Sequence, residues 1–227
     1  MKIIVYAICK NESKFVDCWM DSMTEADAVV VLDTGSSDDT VEKLRRRGAI
    51  VERAEIFPWR FDTARNRSLA LVPDDADICV CTDLDEVFHP GWRAASMRYI
   101  AKSYAHKGDF PCARRYFLRA IAEAPHLREG YMDPATTLYE REDWPGVLYF
   151  TTCALEITER PATYICEAAA WGALPHDLRA IAFHRLGQIP LALEEAEAAL
   201  ALAPSDPRLQ GNAALLQKAT NAIAQHQ

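Results

Sequence analysis

Three groups of polar residues stand out because each directly follows an apolar run of strand length. They occupy positions 9–12 (CKNE), 33–40 (DTGSSDDT) and 83–86 (DLDE). In an open parallel sheet, ligands bind beyond the carboxyl ends of the strands. If the apolar runs are parallel strands, the three polar groups meet at one edge of a sheet. The sequence therefore predicts a ligand site at that edge.

The acidic group at positions 83–86 has the most specific chemistry. Asp83 and Asp85 are two residues apart, so their carboxylates face the same side of an extended segment. Neighbouring carboxylates repel one another unless a cation binds, and oxygen-only ligands suit Mn²⁺ or Mg²⁺. The pattern fits a divalent cation held by Asp83 and Asp85, but a solvated acidic turn is the alternative, since two aspartates at this spacing are a weak motif on their own.

The elements that must position these residues alternate between strand and helix. Apolar runs at 3–8, 28–32, 49–51 and 78–82 predict four strands. Helical spacing between them predicts intervening helices, the first over Ser13 to Met23. Because crossovers between such strands are right-handed, the alternation predicts a mainly parallel sheet.

A repeat begins after Trp92, where the strand pattern ends. FLRAIAEAP (117–125) aligns with AEAALALAP (196–204), and Asp143 lies 34 residues after Asp109. The spacing indicates three helical repeats, about the minimum for a continuous core. We expect an insertion before the third repeat, and a capping helix after it. The insertion contains Pro161 and Pro175, and the capping helix runs from Arg208 to Gln227.

Two resemblances follow from these motifs. ICKNE (8–12), VLDTGSSDDTVE (31–42), FDTARNRSLA (61–70) and CTDLDEVF (81–88) resemble, in order, the motifs of family 2 glycosyltransferases. The repeat of 34 residues resembles tetratricopeptide (TPR) repeats. The implied fold class is an α/β N-terminal domain, a partial GT-A or Rossmann-like fold with a mainly parallel sheet, over residues 1–93. All-α TPR-like repeats follow over residues 94–227.

The glycosyltransferase resemblance implies a donor pocket for a nucleotide-sugar. Asp33 would bind the uracil or ribose, and Glu12 with the backbone near Ile8 would line the base pocket. Gly35 and Ser36 belong to the same donor-binding motif.

The resemblance also implies roles for the residues around the acidic group. Arg65 would lie near the donor, and Asp83 would contact the ribose or the ion. Asp85 would join the metal to the diphosphate, whose charge in the leaving group requires a cation. Glu86 is the nearest uncommitted carboxylate for a catalytic role beside Asp85.

The implied function is metal-dependent transfer of a sugar, expected from a UDP-sugar, to a peptide, protein or glycan acceptor. The second half of the family's catalytic domain, which holds the acceptor site, is replaced here by the first repeat. The alternative is therefore a catalytically impaired module that binds a nucleotide-sugar and uses its TPR repeats for protein interaction. A third hypothesis is a truncated relative that only interacts with proteins. An open sheet edge also favours a homodimer.

Composition narrows the classes of partner. The net charge is −8 with the acidic excess mostly in the first 93 residues, which argues against a nucleic-acid surface. No apolar run is long enough to span a bilayer, and the apolar start lacks a basic flank. Seven cysteines without a Cys-x-x-Cys pair suit a reducing compartment, so we expect a cytoplasmic protein.

Overall fold

The computed structural model describes residues 1–163 and 166–225 of the chain. These residues form two compact units, Met1–Arg93 and Ala94–Gln227. We call the first the sheet unit and the second the helical unit.

The sheet unit contains four strands, and every neighbouring pair is parallel in the order β3-β2-β1-β4. β1 and β2 are the central strands, and their continuous apolar sequences are buried as such strands require. The elements are β1 (Ile3–Cys9), α1 (Val16–Ser22), β2 (Ala28–Asp33), α2 (Thr40–Arg46), β3 (Ile50–Arg53), α3 (Phe61–Leu69) and β4 (Ile78–Cys81).

The first two helices of the sheet unit each bury a large apolar side chain. Trp19 of α1 and Leu44 of α2 are fully buried. In α3, the buried Ser68 donates a hydrogen bond of 2.8 Å from its hydroxyl to the carbonyl of Ala7 in β1. This bond satisfies both polar groups inside the core and anchors α3 to the central strand.

The helical unit is a stack of helix pairs. The elements are α4 (Trp92–His106), α5 (Phe110–Glu123), α6 (Arg128–Glu140), α7 (Trp144–Glu156), α8 (Ala168–Trp171), α9 (Leu174–Arg185), α10 (Ile189–Leu202) and α11 (Pro207–Ala224). α4 begins at the boundary between the two units. The pairs are α4 with α5, α6 with α7, and α9 with α10.

The 34-residue spacing is visible in the caps of the second helices. The carboxylate of Asp109 accepts from the backbone N–H of Cys112 at 3.1 Å, and Asp143 accepts from Gly146 at the same distance. Fully buried Ala120 and Ala154 occupy equivalent positions in α5 and α7. Small side chains at these positions let neighbouring helices approach closely.

The segment between α7 and α9 is the predicted insertion. It contains Pro161 and the short helix α8, but Pro175 lies in the first turn of α9, so its assignment to the insertion is wrong. Proline is accepted there because its missing N–H has no partner within the helix. The predicted capping helix is α11, and the last two residues of its expected range lie outside the described residues.

The predicted fold class is wrong for this chain. Over the described residues the protein is mainly helical, with eleven helices beside one small sheet of four strands. β3 and β4 have only four residues each, and every element after β4 is a helix. The apolar residues that an α/β domain would place in further strands instead pack between helices, so the chain is a helical protein carrying a small parallel sheet.

No helix within the described residues combines the length and the apolar character needed to cross a membrane.

We predict that Asp143→Ala lowers the free energy of unfolding by about 1 kcal/mol, because it removes the N-cap of α7. The measurement is urea unfolding followed by circular dichroism. Glu197→Ala, an exposed change inside α10, is the control and should change stability by less than about 0.5 kcal/mol. Equal effects of the two variants would show that the cap contributes nothing.

Candidate functional site

The loops that follow β1 and β2 are tied together at the carboxyl end of the sheet. The N–H of Asn11 donates to the hydroxyl of Ser36 at 2.8 Å, and the N–H of Ser37 donates to Asn11 Oδ1 at 2.8 Å. Directly before Ser36, Gly35 has a φ of 109°, a left-handed conformation that glycine adopts without steric cost. The two loops therefore form one rigid rim.

Asp33 is the buried charge of this rim. Its side chain has no exposed surface, and its carboxylate accepts from the N–H of Ser36 at 3.1 Å and from Arg53 Nε at 3.0 Å. Burial alone would raise the pKa of Asp33, but these hydrogen bonds outweigh it and hold the pKa below its ordinary value. Asp33 is therefore ionised and internally paired.

Sequence reasoning missed Arg53. It ends β3 directly beside Asp33 in the parallel register, and its second hydrogen bond, of 2.8 Å, goes to the carbonyl of Ser36. An arginine and an aspartate at the ends of adjacent parallel strands were the available signal. With Gly35 and Ala54, these residues line a cavity of about 330 Å³.

Arg65 and Asp83 are in contact at the same edge of the sheet. Arg65 projects from α3, forms an ion pair with the carboxylate of Asp83, and donates to the carbonyl of Thr82 at 3.2 Å. The guanidinium also lies 5.1 Å from the ring centre of Phe61. The negative charge of Asp83 is thus already paired with the positive charge of Arg65.

Glu12 faces the acidic group from the loop after β1. Burial raises the pKa of Glu12, and the charges of Asp85 and Asp83 raise it further. Its Oε2 is buried without a hydrogen-bond partner among the described residues. Asp85 is exposed and has no hydrogen-bond or ion-pair partner within the same part of the chain. These two carboxylates are the uncompensated negative charge of this edge.

Glu86 closes the turn after β4. Its Oε2 accepts from the hydroxyl of Thr82 and from the N–H of Asp83, both at 2.9 Å. The N–H of Asp83 and the hydroxyl of Thr82 lower the pKa of Glu86 below its ordinary value. Its geometry gives Glu86 a local structural role, while its predicted catalytic role has no contact that supports it.

Ile8 is expected to line the base pocket through its backbone. Ile8 is half-buried in β1 opposite Leu32. Across residues 1–163 and 166–225, no three His, Cys, Asp or Glu side chains gather as a metal-binding group. The assignments to donor, metal and catalysis therefore stay predictions.

In the helical unit, Arg98 forms the most buried ion-pair network. Its guanidinium is 4% exposed, and it donates to Asp133 and to Glu167, each at 2.6 Å. Burial alone would lower the pKa of Arg98, but the two carboxylates outweigh burial and raise it. The network links α4 to α6 through Asp133 and links α4 to the insertion through Glu167.

A cavity of about 400 Å³ lies next to this network between α4 and α6, and we call it the α4–α6 cavity. Its lining includes Lys102, His106, Thr136 and Glu140 beside Asp133. The side chains of His106 and Glu140 have no hydrogen-bond or ion-pair partner in the described part of the chain. The cavity therefore presents donors and acceptors of both charges.

Comparisons with known proteins support the helical repeats. No protein-family model and no curated protein matches the chain. Among solved structures, the N-terminal domain of stress-induced protein-1 (STI-1) from C. elegans matches with a TM-score of 0.50 and 18% identity. The match covers 56% of this chain and 96% of that domain. The first TPR of Spaghetti (RPAP3) bound to HSP90 peptide SRMEEVD has a TM-score of 0.49 and 12% identity, covering 58% of this chain and 95% of that one.

One match is a glycosyltransferase. Glucosyl-3-phosphoglycerate synthase from Mycobacterium tuberculosis, in complex with Mn²⁺ and UDP, has a TM-score of 0.33 and 30% identity. The match covers 37% of this chain and 33% of that enzyme. Such a slight likeness supports no conclusion about activity. The TPR resemblance is confirmed at the level of fold, whereas the fused glycosyltransferase stays a prediction.

We predict that Arg53→Met lowers stability by about 1–3 kcal/mol at pH 7, because it leaves the buried carboxylate of Asp33 short of a charged donor. The stability that comes from the lowered pKa of Asp33 is present above its unfolded value, about 3.9, and is lost as the pH falls below it. The difference between parent and variant should therefore shrink below about pH 4. Urea unfolding at several pH values measures this difference.

Arg60→Met is the matched control, since Arg60 and its partner Asp62 are both mostly exposed. We expect that variant to lose at most about 1 kcal/mol. A constant gap between Arg53→Met and the parent from pH 7 to pH 3 would contradict the role given to Asp33.

Proposed function

We propose that the chain is a protein-interaction module whose helical unit binds an extended peptide at the α4–α6 cavity. The observation that carries the proposal is the polar lining of this cavity, formed by the first helices of two successive pairs. The TPR fold of the unit supports the proposal. The RPAP3 domain, which is bound to a peptide, is an example of a TPR domain with a ligand of this class.

The chemistry of the lining suits a peptide backbone. An extended peptide carries an N–H and a carbonyl at each residue, and each needs a partner when it is buried. Lys102 supplies N–H donors, while Glu140 supplies carboxylate oxygens. Thr136 uses its hydroxyl hydrogen on the carbonyl of Met132, which leaves its oxygen lone pairs for a peptide N–H.

The network around Arg98 keeps this surface in shape without ligand. Asp133 is held by Arg98 at 2.6 Å, and Lys102 lies 3.6 Å from the other oxygen of Asp133. The cavity wall is therefore ordered before a peptide arrives, which lowers the entropic cost of binding.

We predict that Lys102→Glu weakens peptide binding about ten-fold or more, because it replaces a donor of the cavity with a repelling charge. A random-peptide array selects a ligand of the full chain, and calorimetry then measures its affinity. Lys107→Glu, the same change at an exposed residue outside the lining, should bind as the parent does.

Two results would contradict peptide binding at this cavity, one from the array and one from the two lysine variants. A chain that retains no peptide from the array contradicts it. Equal weakening by Lys102→Glu and Lys107→Glu would indicate a response to net charge and would also contradict it.

A second function is favoured by the uncompensated carboxylates of the sheet unit. We infer that the carboxyl edge of the sheet binds the diphosphate of a nucleotide-sugar through Mn²⁺ or Mg²⁺. The supporting observation is the pair of carboxylates Asp85 and Glu12. Within the described part of the chain, exposed Asp85 has no ion-pair partner and the buried Oε2 of Glu12 accepts no hydrogen bond. Such ions are commonly held by one or two carboxylates together with phosphates, so Asp85 and Asp83 fit that requirement.

Sugar transfer is not part of this proposal. The cation would supply positive charge to the diphosphate, and Asp83 would divide its oxygens between the ion and Arg65. Glu86 accepts two hydrogen bonds through its Oε2 within its own turn, so this oxygen is committed to the local structure. The sheet unit is thus proposed as a binding site attached to the interaction module.

We predict that Asp85→Asn abolishes Mn²⁺-dependent binding of UDP and leaves the fold intact, because it removes a charge that repels its neighbours. Calorimetry with UDP, with and without Mn²⁺, measures the effect, and Asp75→Asn serves as the control at a distant exposed carboxylate. If Asp85→Asn binds UDP with undiminished Mn²⁺-dependent affinity, Asp85 is not a metal ligand.

A further inference from the structure

A second cavity of the helical unit shares only one helix, α6, with the cavity of the peptide proposal. It has a volume of about 570 Å³, and α5, α6 and α7 form its walls, so we call it the α5–α7 cavity. Most of its lining is apolar. The rings and aliphatic chains that form it belong to Phe110, Phe117, Leu118, Pro134, Tyr149 and Phe150.

This lining is open to solvent at its rim. Tyr149 is 64% exposed and Leu118 is 46% exposed, although both side chains are apolar or mostly so. A concave surface of this size and character is typical of sites for small ligands, which usually occupy about 300–1,000 Å³. Leaving such a surface in water costs free energy that an apolar ligand would recover.

Two cations stand at the same cavity. Arg141 lies with its guanidinium 3.6 Å from the ring centre of Phe110, and Arg114 projects from α5 into the lining. Neither arginine has an ion-pair partner within the described residues. Asp143 also lines the cavity, but its carboxylate caps α7 through Gly146. In a chain of net charge −8, this cavity therefore carries a local excess of positive charge.

We propose that the α5–α7 cavity binds a single-chain anionic amphiphile, a hydrocarbon chain with a carboxylate head, taken up as a monomer. The hydrocarbon would lie on the aromatic rings, and the carboxylate would pair with Arg114 and Arg141. Arginine suits this role because its planar guanidinium donates two parallel hydrogen bonds to a carboxylate.

The walls disfavour a peptide in the same place. The walls are mostly apolar, so they offer few partners for the N–H and carbonyl groups of an extended backbone. A helical peptide satisfies its own backbone, but it is about 10–12 Å across and would fill about 570 Å³ with roughly one turn. A hydrocarbon chain brings no polar groups that need partners. The proposal depends on this cavity alone and does not rest on the peptide proposal.

Calorimetry with monomeric dodecanoate and the full chain tests the proposal. We expect one dodecanoate per chain, and much weaker binding of dodecyltrimethylammonium, which has the same tail and the opposite charge. The double variant Arg114→Ala with Arg141→Ala should weaken dodecanoate binding at least about ten-fold. Leu118→Glu should weaken it similarly, because it places a repelling carboxylate at the rim.

Matched controls separate the cavity from general charge effects. Arg115→Ala, on the same helix but outside the lining, and Leu202→Glu, at an exposed leucine of α10, should bind dodecanoate as the parent does. Thermal unfolding by circular dichroism establishes that each variant is folded.

Several results would overturn the proposal. These are absence of dodecanoate binding, equal binding of the cationic amphiphile, or unchanged affinity in the double variant. Binding only to phosphatidylserine vesicles would assign the surface to a membrane instead. A dimer in light scattering that Leu118→Glu dissociates, without dodecanoate binding, would assign the cavity to a second copy of the chain.

Discussion

A buried guanidinium is stable only when carboxylates pair with it, and Arg98 imposes this requirement on the helical unit. Asp133 from α6 and Glu167 from the insertion satisfy it at 2.6 Å each. Glu129 extends the network, since its Oε1 accepts from the N–H of Glu167 at 2.8 Å and from Trp171 Nε1 at 2.9 Å. The first two helix pairs and the insertion therefore share one set of charges, and the α4–α6 cavity lies beside it.

The two cavities of the helical unit differ in the chemistry that they offer. The α4–α6 cavity has polar side chains of both charges, which suit a backbone with many hydrogen-bonding groups. The α5–α7 cavity has aromatic walls and two arginines that form no ion pair with any described residue, which suits a ligand with one anionic head. One stack of helix pairs thus provides two surfaces of different chemistry. One lies on α4 and α6 and the other on α5, α6 and α7, so α6 contributes to both.

Local patterns in the sequence predicted the elements well. The apolar runs gave strands near Ile3–Cys9 and Ala28–Asp33, and the 34-residue spacing located the helix pairs. The predicted fold class was wrong because it rested on motif resemblance, which implied an α/β domain where the chain has only a small sheet. The partners of Asp33 and Arg98 were not predictable from periodicity, since Arg53 and Glu167 reach them from other elements. Such pairs depend on tertiary packing, which spacing along the chain does not encode.

Hydrogen–deuterium exchange of the full chain, with and without a saturating peptide selected from the array, tests the central claim most directly. Amides of a bound surface exchange more slowly because ligand binding suppresses local opening. Peptide binding at the α4–α6 cavity predicts slower exchange in Trp92–His106 and Arg128–Glu140, with no change in the strands of the sheet unit. Protection confined to the sheet unit, or to α10 and α11, would contradict the assignment of the chain as an interaction module that uses this cavity.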